Sequence, residues 1–370
     1  MNWLALPALI SAGYQIVALF AATRKRTSRT SMSRYTPAVS ILKPIHGADP
    51  QLYEALVSHA TQRYPEFEIL FGVRDPRDPA LPEILRLASE YPEVRIRIVT
   101  NIERTANGKV GALAALAAEA RHAILLVNDS DIAVEPDYLS AVVAPLQQAG
   151  TGLVTCLYRA RSGSFPARFE ALGIATSFAS GVLVARLLGV AEFALGSTMA
   201  FRAEDLRKIG GFESMQDYLA DDYQIGLRMT QLSLRVVFAD AVVETNLGAG
   251  SWSDVWKHQI RWSRTIRVSR PGGYYGSIVT HTTVWALIAW CAGARRIAAA
   301  ALAFRMAAGI AAGSGVLRDR NTARDWWLIP FRDFFGAAVW TAALFGNTVE
   351  WRGDRLLLSR DGRIARHPLG

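Results

Sequence analysis

The chain has 370 residues, enough for one large domain or two ordinary ones. Hydrophobic residues make up 51% and there are 10 Trp, an apolar balance that directs attention to membrane segments. The formal charge of +9 suits anionic lipid and a phosphorylated ligand, and with no basic-aromatic recognition motif nucleic acid is not an expected partner. The two cysteines, Cys156 and Cys291, sit in apolar contexts without CxxC or a His/Cys cluster, which argues against a disulfide framework or a zinc site.

Residues 3–22 are uncharged and about as long as a bilayer-crossing helix. Arg24, Lys25, Arg26, Arg29 and Arg34 follow. Positive charge after the apolar core, rather than before it, predicts an uncleaved anchor (1–23) with the following chain in the cytoplasm. From Val39 the pattern changes. Strands are predicted at 39–44, 68–73, 94–99 and 123–127, with helices at 50–62 and 110–121. This alternation predicts an α/β domain with a mainly parallel sheet, spanning 37–270.

Inside that domain, 171–196 is apolar, interrupted by Arg186 and Glu192. An interfacial helix fits it best, and a spanning helix or an ordinary core helix also fits. Three further apolar runs, 278–294, 297–317 and 326–345, predict C-terminal membrane helices (278–345). Arg332 and Asp333 in the last run are costly in lipid and are expected to face protein, headgroups or each other. Residues 350–370 read as a polar, basic tail with turn signals at Gly353 and Gly362.

Three groups of residues carry chemistry. Asp129-Ser130-Asp131 follows the apolar run 123–127, so two carboxylates stand at the end of a buried strand, where α/β sheets bind ligands. Hard oxygen ligands at i and i+2 suit Mg²⁺ or Mn²⁺, although strand-end turns are also rich in Asp. Asp221-Asp222 precedes a helix-like run, fitting either a helix N-terminus or a general base. His258-Gln259-Ile260-Arg261-Trp262, with Arg264 and Arg267, places cations at i, i+3 spacing. They could hold a diphosphate leaving group or meet lipid headgroups.

In their order, Val39–Pro44, Phe71–Asp75, Asn128–Asp131, Ala220–Asp222 and Arg261-Trp262 resemble the family 2-like inverting glycosyltransferases with a GT-A fold. More closely, they resemble the ceramide glucosyltransferase family (family 21) and its bacterial relatives, including hopanoid biosynthesis glycosyltransferases. The resemblance covers roughly 37–270 plus the membrane flanks. It implies a UDP-sugar donor, a membrane lipid acceptor such as ceramide or a hopanoid, and a metal, Mg²⁺ or Mn²⁺. It also implies a place in the cytoplasmic membrane, with the catalytic domain facing the cytoplasm. Asp75 corresponds to a first acid near the nucleotide base, with Pro44, Lys109 and Asp129 on the same nucleotide-binding side. Asp129 and Asp131 correspond to the metal pair, and Asp222, with Asp221 beside it, to the catalytic base. Arg261 and Trp262 match the end of a (Gln/Arg)-x-x-Arg-Trp element. His258 departs from its first position, where Gln259 could serve instead. Gly196–Phe201 and Gly210-Gly211-Phe212 resemble the acceptor-side segment. A processive polysaccharide synthase shares the Asp and Arg-Trp elements but needs more membrane helices for a channel. A non-catalytic nucleotide-sugar-binding protein is the remaining alternative, and retention of all three acidic positions counts against it.

Overall fold

The computed structural model describes residues 3–24, 35–49, 51–100, 102–248 and 250–366. The chain forms two compact units that interleave along the sequence. One comprises Arg26–Tyr158 and Ala191–Asn246; the other comprises Met1–Lys25, Arg159–Val190 and Leu247–Gly370. The expected catalytic stretch 37–270 therefore contributes to both.

The first unit is built on an eight-stranded sheet: β1 Val39–Ile45, β2 Phe67–Val73, β3 Arg95–Val99, β4 Ile124–Val127, β5 Ile132–Ala133, β6 Thr151–Ser162, β7 Met199–Arg202 and β8 Arg235–Leu247. Its order is β3-β2-β1-β4-β7-β6-β8-β5. β1 pairs in parallel with β2 and β4, and β2 with β3. β7 runs antiparallel to β4 and β6. All four residues of β4 are buried, and β1 is buried except at Pro44. Continuous apolar strands of this kind are covered on both faces. The side-chain period of two splits them cleanly. Ile41, Ile69, Ile124 and Leu126 enter one core, while Leu42, Leu70, Leu125 and Val127 enter the other.

This topology positions the candidate residues. β1 leads to β2 and β3 on one side, and the chain then returns to place β4 on the other side of β1. The order reverses between β1 and β4, where ligands bind beyond the carboxyl ends of the strands. The register Leu42↔Val127 and Pro44↔Gly72 brings those ends to one edge. Gly72 lets the helix Gly108–Glu119 lie close on β2, since a Cβ there would meet Leu116 at 3.2 Å and Ala112 at 3.4 Å.

The second unit is largely helical. Three described helices are long and apolar enough to cross a membrane: Trp3–Thr23, Phe165–Leu187 and Arg295–Val316. The first agrees with the segment expected at 3–22. Of the basic residues after it, Lys25, Arg26, Arg29 and Arg34 lie outside the described residues. The second begins at Phe165, earlier than the predicted 171–196 stretch, and 67% of its most apolar window is buried within the protein. That burial favours a packed helix over an interfacial one. Of the three predicted C-terminal runs, only Arg295–Val316 has spanning length. Thr282–Cys291, with 10 residues, and Ile329–Ala343, with 15, are short against the ~20 residues a bilayer needs.

Small residues let these helices approach. Ala5, Ala8 and Ala12 pack with Ala286, Ala289, Ala298 and Ala301. Ser11 Oγ and Gln15 Nε2 both donate to Thr282 Oγ1, at 2.7 and 2.8 Å. Asp333 does not pair with its neighbour Arg332. Its partner is Arg305, which reaches Asp333 Oδ1 through Nη2 at 2.7 Å and through Nε at 3.0 Å. Arg305 also donates to the Thr176 carbonyl and to Ser177 Oγ, while Asp333 accepts from Thr283 N and Oγ1.

From Thr348 on, the described residues of the predicted polar tail and its approach form a small antiparallel sheet: β9 Thr348–Trp351, β10 Asp354–Leu358 and β11 Ile364–Arg366. Gly353, at φ +88°, and Gly362, at φ +83°, occupy the left-handed turns that the sequence signalled.

Removing the Asp333 carboxylate would leave Arg305 buried and unpaired. Asp333→Ala is expected to cost about 3–5 kcal/mol, read as a lower unfolding temperature in detergent. Unchanged thermal stability would show that the pair contributes nothing.

Candidate active site

The first unit gathers Lys43, Asp49, Lys109, Asp129, Asp131, Asp221 and Asp222 into one charged cluster. Each arrives for a local reason. Asp129 and Asp131 leave the carboxyl end of β4. Their turn is held by Asn128, which is buried and donates through Nδ2 to Tyr138 Oη and to the Ser197 carbonyl, both at 2.8 Å. Lys109 stands in the first turn of the helix Gly108–Glu119. Asn107 caps that helix, its side chain accepting from the Lys109 and Val110 amides at 3.1 and 3.2 Å. The same Asn107 donates to the Tyr218 carbonyl at 2.7 Å, tying this helix start to the segment before Asp221.

Lys109 is the centre of the cluster. Its Nζ lies 2.8 Å from Asp129 Oδ1 and 3.4 Å from Asp221 Oδ2. Burial works against its charge, but the Asp129 and Asp221 carboxylates outweigh that and hold the ammonium well above its ordinary range. Asp221 and Asp222 open the helix Asp221–Gln231, where a carboxylate suits the dipole. Asp222 Oδ2 accepts from the Gly196 amide at 3.0 Å. That bond depends on close packing, since a Cβ on Gly226 would stand 2.8 Å from Phe193 Cα. Asp222 is pushed up to about 6, first by burial and then by the neighbouring Asp221 carboxylate. Burial also raises Asp221, against the pull of Lys109.

Two members were not singled out from the sequence. Lys43 is buried within β1 and donates to the Asp129 carbonyl at 3.0 Å. Burial pulls its ammonium down to about 7, against Asp131, Asp129 and Asp49. A lysine inside an apolar strand facing an Asp-rich strand end was the available signal. Asp49 accepts from Ser130 Oγ at 2.5 Å, bracing the turn from the β1 side. Nothing in its local sequence distinguishes it.

Asp131 accepts from Thr245 Oγ1 and is pushed up to about 6, by burial and then by Asp129. Five carboxyls thus face two ammonium groups, a deficit of positive charge. The donors are all oxygens, as Mg²⁺ or Mn²⁺ requires. Among the described residues no group of three or more His, Cys, Asp or Glu is set to hold a metal. A cation would take Asp129 and Asp131 from the protein and complete its shell from phosphate and water, which fits the residues present. Asp75 is exposed, in the turn after β2. Its carboxylate accepts from the Arg77 amide at 2.9 Å and pairs with the Arg77 guanidinium, which together hold it below the usual range. Pro44 sits in β1 opposite Gly72.

His258, Arg261 and Trp262 belong to the second unit, on the helix Trp252–Ser269. His258 Nδ1 lies 2.7 Å from Glu170 Oε1, and its ring meets Trp262 at 4.4 Å between centroids. Gln259 donates to the same Glu170 oxygen at 2.8 Å. Arg261 is half-buried. Arg264 and Arg267 are not available to a leaving group. Arg264 donates to the Phe345 and Thr348 carbonyls, and Arg267 to the Gly346 carbonyl at 2.8 Å and to Asn347 Oδ1. These acceptors lie in the segment just after the helix Ile329–Ala343, near the end whose dipole favours cations.

Comparison with known proteins gives a consistent result. The sequence profile of glycosyl transferase family 21 matches residues 3–364. Ceramide glucosyltransferase 1 of Caenorhabditis elegans is 24% identical over 377 aligned positions, covering 94% of this chain and 78% of that protein. Ceramide glucosyltransferase 3 of the same organism is 27% identical, covering 61% of this chain and 50% of that protein. Among solved structures, a mannosyltransferase from Pyrobaculum calidifontis in complex with GDP-Man and Mn²⁺ superposes with a TM-score of 0.56 at 21% identity. That match covers 92% of this chain and 99% of the other. It bears out the GT-A fold.

Lys109→Met would leave Asp221 buried beside Asp129 without its counter-ion. A loss of roughly 3 kcal/mol in stability is expected at pH 8. Asp221 already has a folded pKa above its unfolded value, so ionising it costs stability, and losing Lys109 increases that cost. The loss should therefore shrink as pH falls and the carboxyls take up protons. Thermal melts across pH check this, and a pH-independent loss would contradict it.

Proposed function

The chain belongs to glycosyl transferase family 21, and from that premise we propose that it moves a hexose from a UDP-sugar to the hydroxyl of a membrane lipid, with inversion at the anomeric carbon. Glucose and N-acetylglucosamine are the candidate sugars; ceramide or a hopanoid is the candidate acceptor. The observation that carries the proposal is Asp222. It is fixed by the Gly196 amide, raised to about 6, and stands beside Asp221, which Lys109 joins to Asp129 at the strand end.

A base for this reaction must be ionised at working pH yet basic enough to take a hydroxyl proton. A carboxylate raised toward neutrality meets both demands better than an ordinary one. Asp222 would accept the acceptor's proton as its oxygen attacks the anomeric carbon. The electron pair of the breaking bond leaves with the UDP. Lys109 would hold Asp129 in place and counter the charge of the incoming diphosphate. A divalent cation held by Asp129 and Asp131 would supply further charge stabilisation for the leaving diphosphate. The motif His258, Arg261 and Trp262 is assigned to the same reaction by its place in the family pattern, and Asp75 and Pro44 to the nucleotide side. The curated relatives named above are ceramide glucosyltransferases, and three helices of membrane-spanning character support a lipid acceptor. We place the protein in the cytoplasmic membrane with its sheet unit facing the cytoplasm.

Crossing UDP-sugars with ceramide, hopanoid polyols and diacylglycerol, with products identified by mass spectrometry, tests the donor and acceptor. A single sugar per lipid is expected. A ladder of sugars would point to a processive synthase, and donor binding without product to a binding protein. Asp222→Asn and Asp131→Ala are each expected to abolish transfer, and normal turnover in either purified variant would sink the assignment.

The pH profile is a separate check. Because the base must be ionised, kcat/KM should fall as pH drops through about 6. A flat profile down to pH 5 would remove Asp222 from this role.

A further inference from the structure

Glu170 lies within the apolar helix Phe165–Leu187 and is fully buried. A carboxylate there is expensive unless something uses it. Both groups that bind it come from the motif helix. His258 Nδ1 is 2.7 Å from Oε1, and Gln259 Nε2 donates to the same oxygen at 2.8 Å. Behind Gln259 stands Arg332, which is buried and donates through Nη2 to Gln259 Oε1 at 2.5 Å. Its guanidinium is flanked by the rings of Phe169 and Phe335, at 5.5 and 5.0 Å. Gly173, one turn after Glu170, makes room for it, since a Cβ there would fall 2.0 Å from Arg332 Nε.

The imidazole is thus fixed from two sides, by the carboxylate at Nδ1 and by the Trp262 ring 4.4 Å away. A carboxylate at Nδ1 commits that nitrogen to carrying a proton. Nε2 is then the nitrogen left to meet a ligand, and the His258 side chain keeps 26% of its surface exposed. A histidine whose far nitrogen is anchored by a buried acid is the arrangement by which enzymes set a catalytic imidazole's tautomer and direction.

We propose that Glu170 is a positioning residue for His258, holding Nδ1–H inward so that Nε2 is presented to an oxygen of the substrate. Gln259 shares the support by donating to the same carboxylate oxygen, and Arg332 in turn holds Gln259. The proposal rests on the glycosyl-transfer reading given above. It extends that reading by explaining how a histidine can serve at a motif position that otherwise carries Gln or Arg.

Histidine-selective ¹⁵N NMR of the full chain in nanodiscs, with His258 assigned by its absence in His258→Gln, tests the tautomer directly. Wild-type Nδ1 is expected to carry a proton, and Glu170→Ala to shift the ring toward the Nε2–H form. An unprotonated Nδ1 in the wild type overturns the proposal, whether or not a Glu170 variant folds. Kinetics test the coupling. Glu170→Gln should lower kcat by about 10-fold or more with donor KM nearly unchanged. In the His258→Gln background the same change should have little further effect on kcat. Equal losses in both backgrounds would make Glu170 a packing residue only. Wild-type activity in His258→Ala with inactive Asp222→Asn would sink this proposal alone. Full activity in Asp222→Asn would sink the reading beneath it.

Discussion

One ammonium group holds the sheet unit's charged centre together. Lys109 reaches both Asp129, at the end of β4, and Asp221, at the start of a helix far along the chain. The buried Asp221 needs a partner, since desolvating a charge costs several kcal/mol, while Asp129 keeps 37% of its side chain exposed. The lysine itself sits in the first turn of a helix, where the dipole disfavours a cation. Its position makes sense only through its two partners. Asn107 secures the arrangement by capping the helix and binding the Tyr218 carbonyl, so the lysine and the acid helix cannot drift apart independently.

The helical unit meets a harder version of the same constraint. Its charges lie among apolar helices, where an unsatisfied polar group has no water to turn to. Arg305 and Asp333 answer it with a multiply bonded pair whose outer atoms are taken by Thr176, Ser177 and Thr283. Thr176 lies in a π-helical turn, a type of irregularity often found at functional sites. Glu170, His258, Gln259 and Arg332 form a second network, and it is incompletely paired: Glu170 Oε2 and Arg332 Nε and Nη1 are buried without a hydrogen-bond partner among the described residues. The two networks also differ in how they end. The Arg305–Asp333 pair is closed on itself, while the Glu170 network ends on a histidine that retains surface.

Much of the sheet unit was legible in the sequence. Buried parallel strands write themselves as unbroken apolar runs, and an Asp-x-Asp triplet directly after one can only lie at a strand end. Helix Gly108–Glu119 could be read from an Asn-Gly start and an Ala-rich body. What could not be read were partners. The spacing of Arg264 and Arg267 put them on one face but could not reveal that carbonyls after the last long helix would claim them. The stretch 350–366 contains strands of three to five residues, too short for periodicity to register, although both turn glycines were visible. Lys43 was hidden by its company, because a single lysine in an apolar strand leaves the hydrophobic pattern intact. Glu170 stood at the edge of an apolar stretch whose start was placed six residues too late, so its burial went unseen.

The shared lysine has a consequence for the chemistry. Asp129 and Asp221 draw on the same ammonium, and Asp221 is the neighbour that raises Asp222. On the proposed assignment of Asp222 as base, a diphosphate drawing on Lys109 would weaken the lysine's pull on the acid pair, and positive charge beside Asp129 and Asp131 would strengthen it. Such coupling needs no moving part. It follows from gathering five carboxyls, the buried Asp221 among them, around two lysines.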